Sequence, residues 1–336
     1  MESSALFVLF RRLKNSNRTI MKKLAVNLGL FSLLTLLLFS CDGNPSKLAE
    51  TPTRGNIKIS CDESMELIIN AEVNTFQSLY ANAKVTPYYK PEGEVVEDFL
   101  NDSIRTIIIT RKLTKAEEAV LARTQNIART TKFAHDGICF ITNKENPDSN
   151  LRFDQIEAIF SGKLNNWAQI DAKSKLGDLL VVFDNARSSN FRYIQDTFMK
   201  GGSPPAYCFA VKSNTEVLAY VKNKKNAIGV IGLNWVSDKD DTISHQFLSD
   251  IRVMSIGAPG DTEGTGEFRK PYQGYVADGS YPLIRDVYVI CRESFAGLGS
   301  GFASFVAGDV GQRIILKSGL VPATMPLRLV HVKKDF

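Results

Sequence analysis

The sequence predicts an α/β protein with mixed, largely parallel sheets. Three observations lead there. From Asn56 onward, short strand-like runs alternate with amphipathic helical ones. The strand-like runs RTIIIT (105–110), LLVVF and AIGVIG (227–232) are apolar and short, as buried strands are. No internal repeat is evident, which leaves a single strand–helix succession.

In chain order, NIKISC (56–61) reads as a strand, and ESMELIINAEVNTFQSLY as a helix with Ile69, Val73, Phe76 and Tyr80 on one face. KVTPYY is strand-like and is followed by a helix near GEVVEDFL. After RTIIIT, the run TKAEEAVLA opens with Thr114 and Glu117 at capping-box spacing. Strands are expected at 126–132 and 137–142, then a helix over FDQIEAIF stopped by Ser161 and Gly162. LLVVF, the helix FRYIQDTFM, and the strands AIGVIG and DVYVIC (286–291) come next. Two helices fill 299–318, with Gly319 as a C-terminal stop. The Gly- and Pro-rich segment 257–282 reads as a loop or an excursion between lobes.

Composition narrows the function. The chain has 336 residues, 44% hydrophobic and 23% charged, enough for two compact soluble lobes. The formal charge of +5 lies entirely in residues 1–40, where Arg11, Arg12, Lys14, Arg18, Lys22 and Lys23 face only Glu2. The remainder carries equal numbers of basic and acidic side chains and has no global field for a polyanion. Nucleic acid is therefore excluded as a partner. MKKLAVNLGLFSLLTLLLFSC, from Met21, has a charged head and an apolar stretch of signal-peptide length, ending at Cys41. Leu38-Phe39-Ser40-Cys41 resembles a bacterial lipobox. Residues 1–20 then read as a doubtful upstream extension, 21–40 as a lipoprotein signal peptide, and 41–54 as a lipidated tether placing the domain in the cell envelope. Cys61, Cys139, Cys208 and Cys291 show no metal-ligand spacing, and His135, His245 and His331 are isolated. No metal or cofactor is expected.

The stretch DNARSSNFRYIQ (184–195) crowds hydrogen-bonding residues into a strand–helix junction. Ser and Asn are good helix caps, but one cap needs only one of them. Ser188, Ser189 and Asn190 together, with Arg187 adjacent, favour an anion held by the helix N-terminus.

Three runs then carry a resemblance. DGICFITNKENPDSNLRFDQIEAIFSGKLNNW (136–167), SYPLIRDVYVI (280–290) and GQRIILKSGLVP (311–322) resemble the phosphate-binding proteins of ABC transporters, over about residues 56–325. The resemblance implies a two-lobed, type II Venus-flytrap periplasmic binding protein. Lobe I would comprise 55–138 plus 283–336, and lobe II 139–282, with the ligand in the cleft between them. It also implies site positions. Ser188-Ser189-Asn190 stand in place of a phosphate-binding Ser-Gly-Thr, and Ser64, followed by Met65, supplies the facing hydroxyl. Glu63 and Asp62 stand where glycines are usual, and Asp62 could simply cap the helix. Glu92 or Gly93 replaces a donor turn, Thr110 an aspartate that accepts the proton of hydrogen phosphate, and Asp184 an arginine. Arg187, paired to Asp184, or Arg111 would restore the cation; Glu63 or Glu92 would restore the proton acceptor.

The expected function is a monomeric solute-binding lipoprotein that captures phosphate or a related oxyanion and delivers it to a membrane permease. A ligand sensor or signalling adaptor taking another anion or a zwitterion is the alternative. An envelope hydrolase comes third: no Gly-x-Ser-x-Gly or phosphate-loop motif is present, and no base accompanies Ser64 or Ser188 in sequence. The protein is thus not expected to be an enzyme.

Overall fold

The computed structural model describes residues 50–125, 127–237 and 249–326. The extension 1–20, the signal 21–40, Cys41 and the tether through residue 49 lie outside the described residues, as do His245 and His331.

The first half starts with β1 (Gly55–Asp62), a 3₁₀ turn at Glu63–Met65 and α1 (Glu66–Leu79). It continues through β2 (Ala83–Lys90), α2 (Glu92–Leu100), β3 (Thr106–Ile109) and α3 (Lys115–Arg123). The capping box at Thr114 and Glu117 forms as expected. β1 lies between β2 and β3 and runs parallel to both. The long strand β4 (Arg129–Asn143) takes in 129–132 of the first strand expected there and all of the second, as one continuous element. Its first part pairs with β11 (Ile284–Cys291) and β12 (Val321–Pro322); its last part pairs with β8 (Ala227–Gly232) and β9 (Ile251–Val253). It thereby carries the chain from one half of the sheet to the other.

The second half holds β5 (Asn150–Leu151), α4 (Phe153–Phe160), β6 (Leu180–Phe183), α5 (Ser189–Phe198), β7 (Cys208–Ala210) and α6 (Asn214–Asn223). After β8 come α7 (Asn234–Ser237), β9, β10 (Ser255–Ile256) and α8 (Gln273–Ala277). The chain returns through β11 and closes with α9 (Leu298–Val306), α10 (Asp309–Lys317) and β12. β6 is parallel to β7 and β8. Every antiparallel pair among the described strands involves β4 or β11. The antiparallel share thus comes from the strands on which the chain leaves the first half and re-enters it.

Strand order β2-β1-β3-β11-β4-β8-β6-β7 gives one continuous mixed sheet with helices packed on it. Phe76 of α1 packs edge-on to Phe302 and Phe305, joining the first helix to α9. A smaller apolar cluster of Val95, Phe99, Leu113 and Leu121 sits beneath α2 and α3. Residues 50–54 dock beside α9. A Cβ on Gly301 would lie 1.9 Å from the Pro52 carbonyl oxygen, so only glycine allows this approach. Glu50 and Glu293 accept from the amides of Leu298, Gly299 and Ser300, capping a helix that has no side-chain cap of its own. Gly319, at φ +88°, ends α10.

Candidate ligand-binding site

The C-terminal end of β1 and the N-terminus of α5 meet at one buried point. Asp62 ends β1 and accepts from the Ser64 amide at 3.0 Å, the capping role its position suggested. That cap turns Ser64 towards α5, where its Oγ lies 3.2 Å from Ser189 Oγ. Both hydroxyls accept from Arg285, at 3.1 and 2.8 Å. The Ser64 carbonyl accepts from Asn234 Nδ2 and from the indole N–H of Trp235, so α7 of the second half grips the first. Ser64, Ser189 and Asn190 are fully buried, and Met65 packs into the core.

Arg285 is the residue that sequence reasoning missed. It is a cross-strand partner of Asp136, donating through Nε and Nη2 at 2.8 and 2.7 Å, and both side chains are buried. An arginine inside the apolar run SYPLIRDVYVI was the available signal, since a cation in a buried strand requires a partner. Burial works against the guanidinium's charge, but Asp136 and Asp62 hold it above the ordinary arginine range.

The Ser188-Ser189-Asn190 motif divides its labour. Ser188 donates to Asp184 at 2.6 Å and accepts from the Phe191 amide, so its hydroxyl is fully used in capping. Asn190 donates through Nδ2 to Asp184 and Asn214, leaving its Oδ1 without a partner. Ser189 alone turns its hydroxyl to Arg285. The amides of Ser189 and Asn190 precede the first intrahelical bond and remain for an outside acceptor.

Asp184 accepts from Ser188, Asn190 and Asn214. The expected Arg187–Asp184 pair does not form. Arg187 is half-exposed, reaches Glu97 and lies along Gly93, whose amide donates to the Arg187 carbonyl at 3.1 Å. Burial of Asp184 would isolate an exposed, well-hydrated guanidinium from water, whereas Glu97 meets it at the surface. Arg111 likewise faces outward, clamping Glu117 at 2.7 and 2.8 Å. Its guanidinium stands 3.6 Å from Glu92.

Glu92 anchors a second cluster. Its Oε1 accepts from the Thr110 amide and hydroxyl at 2.8 and 2.9 Å, and its Oε2 from Arg192 of α5. Arg192 also donates to Thr110 at 3.0 Å. Glu63 accepts from the Asn214 amide at 3.1 Å. Contacts from Glu63, Ser64, Glu92, Gly93 and Glu97 thus all cross from the first half to the second.

The electrostatics follow burial. Desolvation pushes Asp62 up to about 6, aided by the charge of Glu92 and only partly opposed by Arg285. Desolvation pushes Asp184 up to about 7; its Ser188 bond opposes the shift, and Asp62 and Glu63 add to it. Burial alone would also raise Glu92, but Arg192 and Arg111 outweigh it and hold the carboxyl below its ordinary range. The arrangement can bind and enclose a small polar ligand. Donors converge from a guanidinium, two hydroxyls and a helix N-terminus, on a point closed by both halves.

Comparison with known proteins agrees with this architecture. A phosphate-binding protein PstS of Borreliella burgdorferi is 23% identical over 322 residues, covering 90% of this chain and 99% of its own. The PstS of Staphylococcus aureus is 24% identical over 284 residues, 83% of this chain and 82% of that one. Among solved structures, a substrate-binding protein from Clostridium perfringens with bound phosphate superposes with a TM-score of 0.66 at 19% identity, over 80% of this chain and all of its own. An ABC-type phosphate transport receptor from Vibrio cholerae gives 0.59 at 19% identity, over 81% of this chain and 100% of the other. The fold is thus that of a two-lobed periplasmic binding protein. With the PBP superfamily domain matching residues 46–310, most of its length, the chain belongs to the PBP superfamily.

Proposed function

We propose that this protein is an extracytoplasmic solute-binding lipoprotein that captures phosphate or a related oxyanion between its halves and hands it to the permease of an ABC transporter. The observation that carries the reading is Arg285, buried between Ser64 Oγ and Ser189 Oγ beside the N-terminus of α5. When the halves part, the guanidinium can keep Asp136 and exchange the two hydroxyls for ligand oxygens. The hydroxyls and the two helix-terminal amides would complete the shell, and closure would strengthen each bond by excluding water. The names and bound phosphate of the relatives support the same ligand.

In this reading residues 55–138 and 283–336 form one lobe and 139–282 the other, hinged on β4 and β11. Cys41 carries the lipid, and the protein acts as a monomer. Among the described residues no helix is long and apolar enough to cross a membrane. Catalysis has no part in it: Ser188 is spent on Asp184 and on its own helix, while His135 pairs with Asp286. A thermal-shift panel of phosphate, arsenate, sulfate, phosphonates and amino acids on the soluble domain tests the proposal. Phosphate is expected to raise the melting temperature by mass action. No shift with any oxyanion would overturn it.

A further inference from the structure

The donors just described would satisfy the bare oxygens of an oxyanion, but the same site holds acceptors that no bare oxygen can satisfy. Asp62 Oδ2, Asp136 Oδ1, Asn190 Oδ1 and Asn234 Oδ1 have no hydrogen-bond partner, and all four residues are fully buried. Each belongs to the cluster around Arg285. Asp136 Oδ2 and Asn190 Oδ1 lie 3.3 and 3.9 Å from the place a Cβ on Gly232 would take, and Arg285 Nη2 is 2.9 Å from the same place. Asp62 caps the turn that presents Ser64, and the Ser189 side chain beside it favours its charged form. Asn234 donates to the Ser64 carbonyl. A buried acceptor left unmet destabilises the site, so these oxygens call for a ligand that brings hydrogens.

Charge points the same way. Asp62 from β1, Asp136 from β4 and Asp184 after β6 surround the site, with Glu63 and Glu92 beside them. Among the cations, Arg192 and Arg111 are engaged by Glu92, which leaves Arg285. A second negative charge on the ligand would face these carboxylates at short range in a dry site.

We infer that the site takes its ligand as a monoanion bearing its own O–H donors, dihydrogen phosphate rather than hydrogen phosphate. The inference rests on the oxyanion reading above and specifies the form that is bound. Two O–H groups would meet two of the orphaned acceptors, while the remaining oxygens take the guanidinium, the serines and the amides. Sulfate, with neither proton nor single charge, is refused on both counts.

The test is calorimetric titration of the soluble domain with phosphate, phosphite and methylphosphonate from acid to mildly alkaline pH, with sulfate as a fourth ligand. The three bound ligands share one shape but ionise a second time at different pH. Affinity is expected to fall about tenfold per pH unit above each ligand's own second ionisation, by proton linkage. The onset should therefore move from ligand to ligand. A common onset for all three would mean that Asp62 or Asp184 governs the profile, and would overturn the inference while leaving phosphate binding intact. Affinity that rises with pH, or sulfate binding as tightly as phosphate, would also overturn it. If phosphate fails to bind at every pH, the oxyanion reading itself falls. Asp62→Asn removes one charge, supplies an N–H and keeps the cap on Ser64. It is expected to admit sulfate at least tenfold better than the wild type, and a folded variant that still refuses sulfate would count against the acceptor role.

Discussion

Arg285 and Asp136 are paired across β11 and β4 and buried together, with two guanidinium nitrogens on one carboxylate oxygen. The pair sits where the chain crosses between halves, and its free edge touches both Ser64 and Ser189. One ion pair therefore links the strands of the crossing to the proposed site.

Removing one member of this pair leaves the other as an uncompensated buried charge. Arg285→Gln is expected to cost about 3–5 kcal/mol of folding stability and to abolish phosphate binding. Adding Asp136→Asn should recover most of the stability without restoring binding. Urea denaturation and calorimetry on the single and double variants check this; recovery of both properties together would contradict a ligand role for Arg285.

Glu92 joins the halves by a separate route, through Arg192 and Thr110. Its carboxyl titrates below the ordinary glutamate range: burial opposes this, and Arg192 outweighs it. Its stabilising contribution is therefore present above the unfolded-state value, near pH 4.3, and is lost as pH falls through the lower folded value. Glu92→Gln should cost about 1.5–3 kcal/mol at neutral pH, the range for hydrogen bonds to charged groups, and speed ligand release. Stopped-flow dissociation rates decide it; an unchanged off-rate would show that this contact does not hold the closed form.

Much of the fold is legible in the sequence because period and caps are local. Thr114 with Glu117, Gly162 and Gly319 each mark a boundary through short-range geometry. β4 reads as two strands because His135 and Asp136 interrupt its apolar run. The interruption is a buried charge whose partner lies 149 residues away, which no local pattern announces. α6 goes unnoticed although Ser213 accepts from the Glu216 amide at its start, because its apolar face is short. The site is legible in the same measure. The junction at 188–190 declares a helix N-terminus, while sequence adjacency points to Arg187 as the cation. Arg187 instead meets the surface carboxylate of Glu97, and the arginine that bonds the buried Glu92, 100 residues away, is Arg192, one turn into the helix.

The four described cysteines are free and buried. Burial pushes the Cys61 and Cys139 thiols well up, and Cys208 to about 12. Since the thiolate is the reactive species, the native domain should resist alkylation by iodoacetamide at pH 8 and react fully in denaturant. Its melting temperature should not change with reductant. Mass spectrometry of labelled protein checks this, and a disulfide found in native protein would contradict it.

Glu72 offers the sharpest pH test because it lies apart from the site. It belongs to α1, is fully buried, and neither carboxyl oxygen has a partner. Desolvation pushes it up to about 9, so it is neutral in the folded protein at pH 7 and ionised in the unfolded chain. The sign follows: the folded state binds the proton more tightly, so this group's contribution is fully present below about pH 4.3. It declines as pH rises, by up to about 1.4 kcal/mol per unit, until the folded carboxyl itself ionises. Glu72→Gln removes the titration and keeps the shape. Its melting temperature should match the wild type near pH 4 and exceed it progressively towards pH 8, at roughly 2–4 °C per kcal/mol for a domain of this size. Asp62 and Asp184 titrate in the same window, but they do so in both proteins and cancel in the difference. A gap between variant and wild type that stays constant with pH would show that Glu72 is charged in the native core and finds a partner there.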